Sequence, residues 1–229
     1  SYGKKRNYAL GYSLDSVMNY PFRNAVIAFA QGKSTAFELR DFLVSQQHNY
    51  PAPMYVSLMN LLGSHDVERL HTALAFDYDV NALGRAAQSR LCPSEEQSKA
   101  ATALQRLCAA IQYFVPGVPC LYYGDEECLD GARDPFNRAP FEPSGAGLHN
   151  FYVKLGELRS ASPALLTGSM KVYAPNPHII VIEREFESEK RSCVVNRSEE
   201  AFYMPKARFS LLSNESADCV EPLSADIFA

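Results

Sequence analysis

The chain has 229 residues, 47% hydrophobic and 21% charged, the proportions of an ordinary globular protein with length for one large domain or two smaller ones. A formal net charge of −4 excludes the dense basic face that nucleic acid requires, and no apolar run approaches the roughly 18 residues of a membrane span. Neither nucleic acid nor membrane is therefore expected as a partner.

In chain order, the opening SYGKKRNYALGYSLD carries a basic cluster without a following apolar stretch, so it does not read as a secretory signal. Residues 13–19 form a short apolar run that predicts a buried strand, followed by a helix over 21–30. Thr35-x-x-Glu38 is a capping-box start, and Ala36, Leu39, Phe42 and Leu43 then share a helix face. A second buried strand is predicted over 55–63. Ser94, with Glu95, Glu96 and Gln97 behind it, opens a long helix on which Ala100, Leu104, Leu107, Cys108, Ile111 and Phe114 recur until Pro116-Gly117. A third strand is predicted over 118–123. Leu148, Phe151, Tyr152, Leu155 and Leu158 mark one more helix. Strand then helix, three times over, is the pattern of parallel βα units. Beyond a boundary near Leu166-Thr167-Gly168 the texture changes to short strands at 171–174, 179–184, 191–195, 202–204, 209–212 and 225–228, which suggests a small antiparallel sandwich. The expected organisation is an α/β region over 1–166 and an all-β region over 167–229.

The six cysteines, Cys92, Cys108, Cys120, Cys128, Cys193 and Cys219, contain no C-x-x-C pair and match no zinc spacing. A chain of this size needs no staples, so free thiols and a reducing, cytoplasmic compartment are expected. Asn196-Arg-Ser and Asn214-Glu-Ser fit the glycosylation pattern, which is too frequent by chance to outweigh that expectation.

Three constellations carry chemistry. Asn60-Leu61-Leu62-Gly63-Ser64-His65-Asp66, with Arg69 a helical turn later, places His65 and Asp66 at the C-terminal end of a strand, the face on which α/β barrels build active sites. A carboxylate there can stabilise positive charge or hold sugar hydroxyls; the same residues also suit a plain turn and helix cap. Pro116–Glu126 ends in Gly124-Asp125-Glu126, again putting carboxylates at a strand end, or at the positive end of a helix. Asp134-Pro135-Phe136-Asn137-Arg138 lies in a loop where Asp134 and Arg138 could pair structurally or clamp the hydroxyls of a sugar.

Together the strings LDSVMNYPF (14–22), NLLGSHDVER (60–69), PGVPCLYYGDE (116–126) and DPFNR (134–138) resemble, in order and spacing, glycoside hydrolase family 13, the α-amylase family. The wording is most similar to the neopullulanase, cyclomaltodextrinase and maltogenic amylase group, and LRSASPALLTGSM (158–170) is similar to the family's passage into its C-terminal domain. The resemblance implies the C-terminal portion of a (β/α)8 TIM barrel, about strands six to eight, followed by a β-sandwich. It implies a retaining hydrolase of α-glucosidic bonds in maltooligosaccharides, cyclomaltodextrins or pullulan, with Asp66 as transition-state stabiliser and His65, Asp134 and Arg138 binding the α-glucan. No cofactor is implied, although calcium in an intact enzyme remains open.

The family's nucleophile and acid/base lie before the segment resembling LDSVMNYPF, so the chain alone is expected to be inactive and to lack the N-terminal half of its barrel. The sequence also has no Trp, which family relatives often carry after the loop resembling DPFNR, and 141–147 looks short. Open barrel edges predict self-association. A non-catalytic glucan-binding or partner subunit is the alternative.

Overall fold

The computed structural model describes residues 13–143, 145 and 147–229. Helix α1 (Tyr20–Ala30) starts where the Asn19 side chain accepts the Phe22 N–H and Pro21 sits in the first turn. Helix α2 (Ala36–Asn49) follows the complete Thr35–Glu38 capping box. After the single turn α3 (Ala52–Tyr55) comes strand β1 (Met59–Leu61), then the short helices α4 (Leu70–Ala75) and α5 (Arg85–Gln88). The long helix α6 (Glu95–Phe114) opens on the Ser94–Gln97 capping box, and strand β2 (Val118–Cys120) follows it.

Strands β1 and β2 pair in parallel with Met59 opposite Val118, and Met18 bridges Met59 in parallel on the other side. The three predicted strands are thus neighbours in chain order, but each is shorter than expected. Residues 13–19 contribute one bridge, at Met18. The run over 55–63 starts late because Pro51 and Pro53 preset φ for the turn α3, which takes up Tyr55. The run over 118–123 leaves the ladder after Cys120.

Buried amides join what so few ladder bonds leave loose. Asn19 Nδ2 donates to Gln46 Oε1 (3.0 Å) and Asn60 Oδ1 (2.9 Å), and Asn60 Nδ2 donates to the Pro116 carbonyl (2.8 Å). Gln112 Nε2, from α6, reaches the carbonyls of Asn60 and Cys120 on both strands at 2.8 and 3.0 Å. Gly117 has φ +110, and a Cβ there would lie 2.5 Å from Asn60 Nδ2, so glycine is required both for the backbone and for the space.

Helices α7 (His149–Ala161) and α8 (Pro163–Thr167) lead into β3 (Ser169–Asn176), β4 (Ile179–Phe186) and β5 (Glu189–Asn196). Strands β6 (Phe202–Phe209), β7 (Ser216–Val220) and β8 (Ser224–Phe228) complete the described chain. A four-stranded antiparallel sheet runs β3-β4-β5-β8, and β6 and β7 form a separate antiparallel ribbon. The runs at 202–204 and 209–212 are therefore corrected: the first extends through Phe209, and the second is a turn. There Ser210 Oγ accepts the N–H groups of Leu212 and Ser213, which bends the chain before a further strand can form.

Alternation in the sheet serves two cores. Ile180, Ile182, Cys193, Val195 and Ile227 join one cluster with Phe22, Leu39, Leu107, Ile111 and Phe114 of the helices. On the opposite face Ile179, Val194 and Phe228 pack with Val220 under the ribbon.

Candidate active site

The site begins where β1 runs out. Leu62, Gly63 and Ser64 are buried, and a Cβ on Gly63 would lie 2.5 Å from Asp125 Oδ2, so only glycine lets the chain cross this carboxyl group. The next two side chains emerge: those of His65 and Asp66 are 52% and 57% exposed, with Nε2 and Oδ1 3.2 Å apart. The hydroxyl of Tyr20, at the start of α1, donates to Asp66 Oδ2 at 3.0 Å and lies 3.0 Å from Ser64 Oγ. A phenol has one proton, so Ser64 donates in turn to Tyr20 while its oxygen accepts the Asp66 N–H at 3.1 Å. Burial pushes the Tyr20 phenol up; the Ser64 bond opposes this and the bond to Asp66 adds to it, which keeps the donor protonated. Asp66 does not cap a helix. The residue at that position of α4 is Arg69, with no side-chain cap bond, and the carboxylate of Asp66 faces outward instead.

The flanks of this turn are anchored. Arg23 donates from Nε to the Leu62 carbonyl at 2.9 Å and pairs through Nη2 with Glu68 Oε1 at 2.8 Å. Burial alone would raise Glu68, but the Arg23 charge and hydrogen bonds from Arg23 and Asn81 hold it below its ordinary value. Arg69 is fully buried, its guanidinium carbon 4.5 Å from the ring centres of both Tyr122 and Tyr123, and its Nη1 donates to the Tyr123 carbonyl.

Of the carboxylates expected at the second strand end, Asp125 is turned inward and only 2% exposed, in the 3-10 turn Asp125–Glu127. It lies beneath Gly63, 3.9 Å from Arg69 Nη1. Burial pushes it up to about 7 against the opposing charge of Arg69. It is part of the floor of the site, not its rim.

The third constellation returns to the first. Asp134 Oδ1 and Arg138 Nε are 2.5 Å apart, and both side chains are at least half in solvent. Arg138 Nη2 makes a long contact, 3.5 Å, to the His65 carbonyl, and Arg85 Nη1 donates to the Asp134 carbonyl at 2.8 Å. The hydroxyls of Tyr122 and Tyr123 donate to the carbonyls of Asn137 and Ala139 at 3.3 and 2.8 Å. All four residues singled out in the sequence, His65, Asp66, Asp134 and Arg138, thus stand on one solvent-facing rim. Tyr20, Ser64 and Asn137 also build it and were given no role in the sequence reading, although all three sit inside strings that carried the family resemblance. Among the described residues no cluster of three or more His, Cys, Asp or Glu side chains is arranged to hold a metal ion.

No family profile matches the chain. Over 195 residues it is 34% identical to an amylopullulanase of Thermoanaerobacter thermohydrosulfuricus, a match covering 79% of this chain and 12% of that protein. To a cyclomaltodextrinase of Thermoanaerobacter pseudethanolicus it is 30% identical over 193 residues, covering 82% of this chain and 29% of that one. The fold superposes on ligand-free cyclic α-maltosyl-(1→6)-maltose hydrolase from Arthrobacter globiformis with a TM-score of 0.76 and 27% identity, covering 97% of this chain and 46% of that chain. The chain belongs to glycoside hydrolase family 13, the α-amylase family. The match is to the C-terminal part of such enzymes, and the chain spans less than half the length of each of these relatives. In family 13 terms the described structure joins part of a barrel to a β-sheet domain.

Proposed function

We propose that this chain contributes the transition-state stabiliser and a substrate-binding rim to a retaining α-glucan hydrolase. The observation that carries the reading is the convergence of the His65–Asp66 turn and the Asp134–Arg138 pair, which are remote in sequence, on one exposed rim. In this assignment Met18, β1 and β2 mark barrel strands six, seven and eight, and residues 167–229 form the C-terminal β domain of sandwich type.

Cleavage with retention passes through a sugar ring with oxocarbenium character, whose positive charge a nearby carboxylate stabilises. Asp66 suits this task because Tyr20 fixes one carboxylate oxygen while the group stays open to solvent. His65 beside it can hydrogen-bond the same sugar. Asp134 accepts from hydroxyls and Arg138 donates to them, which positions the neighbouring glucose. The nucleophile and acid/base are assigned to the family's barrel strands four and five, outside this sequence. Maltooligosaccharides, cyclomaltodextrins and pullulan are the proposed substrates, in keeping with the relatives' names.

The test is reducing-sugar release from maltoheptaose and β-cyclodextrin by this chain and by a form extended upstream in its own gene. Only the extended form is expected to turn over, and Asp66→Asn in it should cost about a hundredfold or more in kcat with the fold intact. Full activity in that variant would remove Asp66 from its role. Maltoheptaose binding by both forms, with turnover by neither, would favour a non-catalytic glucan-binding subunit.

A further inference from the structure

Asn137 lies between the two halves of the rim and is wholly buried. Its Nδ2 donates to the carbonyls of Val67 at 2.6 Å, His65 at 3.0 Å and Ser64 at 3.4 Å. Those carbonyls belong to the turn that presents His65 and Asp66. The turn has no ladder or helix of its own: among the described residues no backbone hydrogen bond to the carbonyls of His65 or Val67 is made. Carbonyls left without a backbone donor need another partner, and one buried side chain supplies it from beneath the turn. The same residue is held from its other side by Tyr122, whose hydroxyl donates to the Asn137 carbonyl, and it is flanked in the chain by Arg138.

We propose that Asn137 is a positioning residue that locks the His65–Asp66 turn to the Asp134–Arg138 loop, so that the two sugar-facing pairs keep one separation. A carboxylate that must meet charge developing in a transition state tolerates little displacement, and a misplacement of about 1 Å can cost on the order of a hundredfold. Tyr20 tethers Asp66 at its tip and Ser64 Oγ accepts its backbone N–H, while Asn137 holds the carbonyls on either side of it. Asn137 is the one described side chain with bonds to three of the turn's carbonyls. Its effect on catalysis rests on the α-glucan hydrolase reading; its effect on the turn does not.

Two measurements keep these apart. In the unsubstituted chain, the Nδ2 protons of Asn137 should exchange with solvent at least about a hundredfold more slowly than those of exposed asparagines. Exchange at the exposed rate would overturn the proposal, whatever becomes of any variant. In Asn137→Asp, which keeps the shape and removes the donors, and in Asn137→Ser, which keeps a single donor, the Asp66 amide should exchange roughly tenfold faster or more. The His65 ring and Tyr20 resonances should move with it while those of the β3-β4-β5-β8 sheet stay in place. A folded Asn137→Asp chain with those resonances unmoved overturns the proposal. In the extended enzyme Asn137→Asp should lower kcat about tenfold or more with little change in KM, and Asn137→Ser should recover part of the loss. A change confined to KM would contradict positioning of Asp66. If the extended enzyme acts on no glucan, the hydrolase reading fails and the exchange measurements still decide the role of Asn137 in the turn.

Discussion

Asp66 and Asp125 stand within the same short region of the molecule, and burial separates their chemistry. Asp66 faces solvent with one oxygen held by Tyr20. Asp125 lies under Gly63, and its Oδ1 has no hydrogen-bond partner. Arg69 is near, but at 3.9 Å it makes no hydrogen bond to that carboxyl group, and its guanidinium is stacked on two tyrosines instead. Desolvation therefore wins, and the group sits at about 7. A carboxyl whose folded value is raised contributes stability that is full below its ordinary value and is lost as pH rises through the folded one. Between pH 5 and pH 8 this residue should cost the fold on the order of 2 kcal/mol, at about 1.4 kcal/mol per unit. Asp125→Asn should remove that part of the pH dependence. Urea unfolding at the two pH values tests it, and an unchanged difference between them would show that Asp125 is already paired.

At the scale of elements, α6 organises the molecule, and its C-terminal end is the critical joint. The last carbonyls of a helix lack intrahelical donors and carry partial negative charge. Two buried arginines from different elements meet them. Arg159 of α7 donates to the carbonyls of Tyr113, Val115 and Gly117 at 2.6, 3.2 and 2.5 Å. Arg184 of β4 donates to those of Phe114 (2.8 Å) and Gly168 (2.9 Å). Burial lowers both, Arg184 to about 10, helped by the neighbouring charge of Arg159, which leaves Arg184 a cation at neutral pH. Arg184→Met should lower stability by about 2–4 kcal/mol in chemical unfolding, because two carbonyls lose their donor. A neutral result would mean that relief of desolvation offsets those bonds. The starts of α2 and α6 were legible in the sequence because a capping box is local: Ser94 and Gln97 identify the start of α6 within four residues. Strand β7 was not legible, since Ser216–Val220 reads as polar until the sheet face beneath it is known. Nor does the sequence announce that Arg159 and Arg184 converge on one helix end, because the contact joins residues 25 positions apart through α6.

Across the whole molecule, the parallel strands are covered unevenly. Behind them lie α1 and α6, while Met18 and Val118, on either side of Met59, are 38% and 51% exposed, with Leu14 and Leu121 also in solvent. Among the described residues neither outer edge of this small sheet has a strand partner. Apolar side chains beside unpaired parallel edges favour association. Sedimentation velocity should therefore show this chain forming dimers or larger species at high concentration, and Val118→Glu should reduce them. A clean monomer at every concentration would show that the face is stable in water. The family, the order of strands and helices, and the types of the rim residues follow from the sequence itself, because caps, apolar periods and the four motif strings are local properties of the chain. The tertiary structure alone decides that Asp125 turns inward while Asp66 turns out, that Tyr20 and Asn137 hold the rim, and how little of each predicted strand enters the ladder. Those outcomes depend on which groups lose water and which donors come within reach, and neither quantity exists until distant segments are packed together.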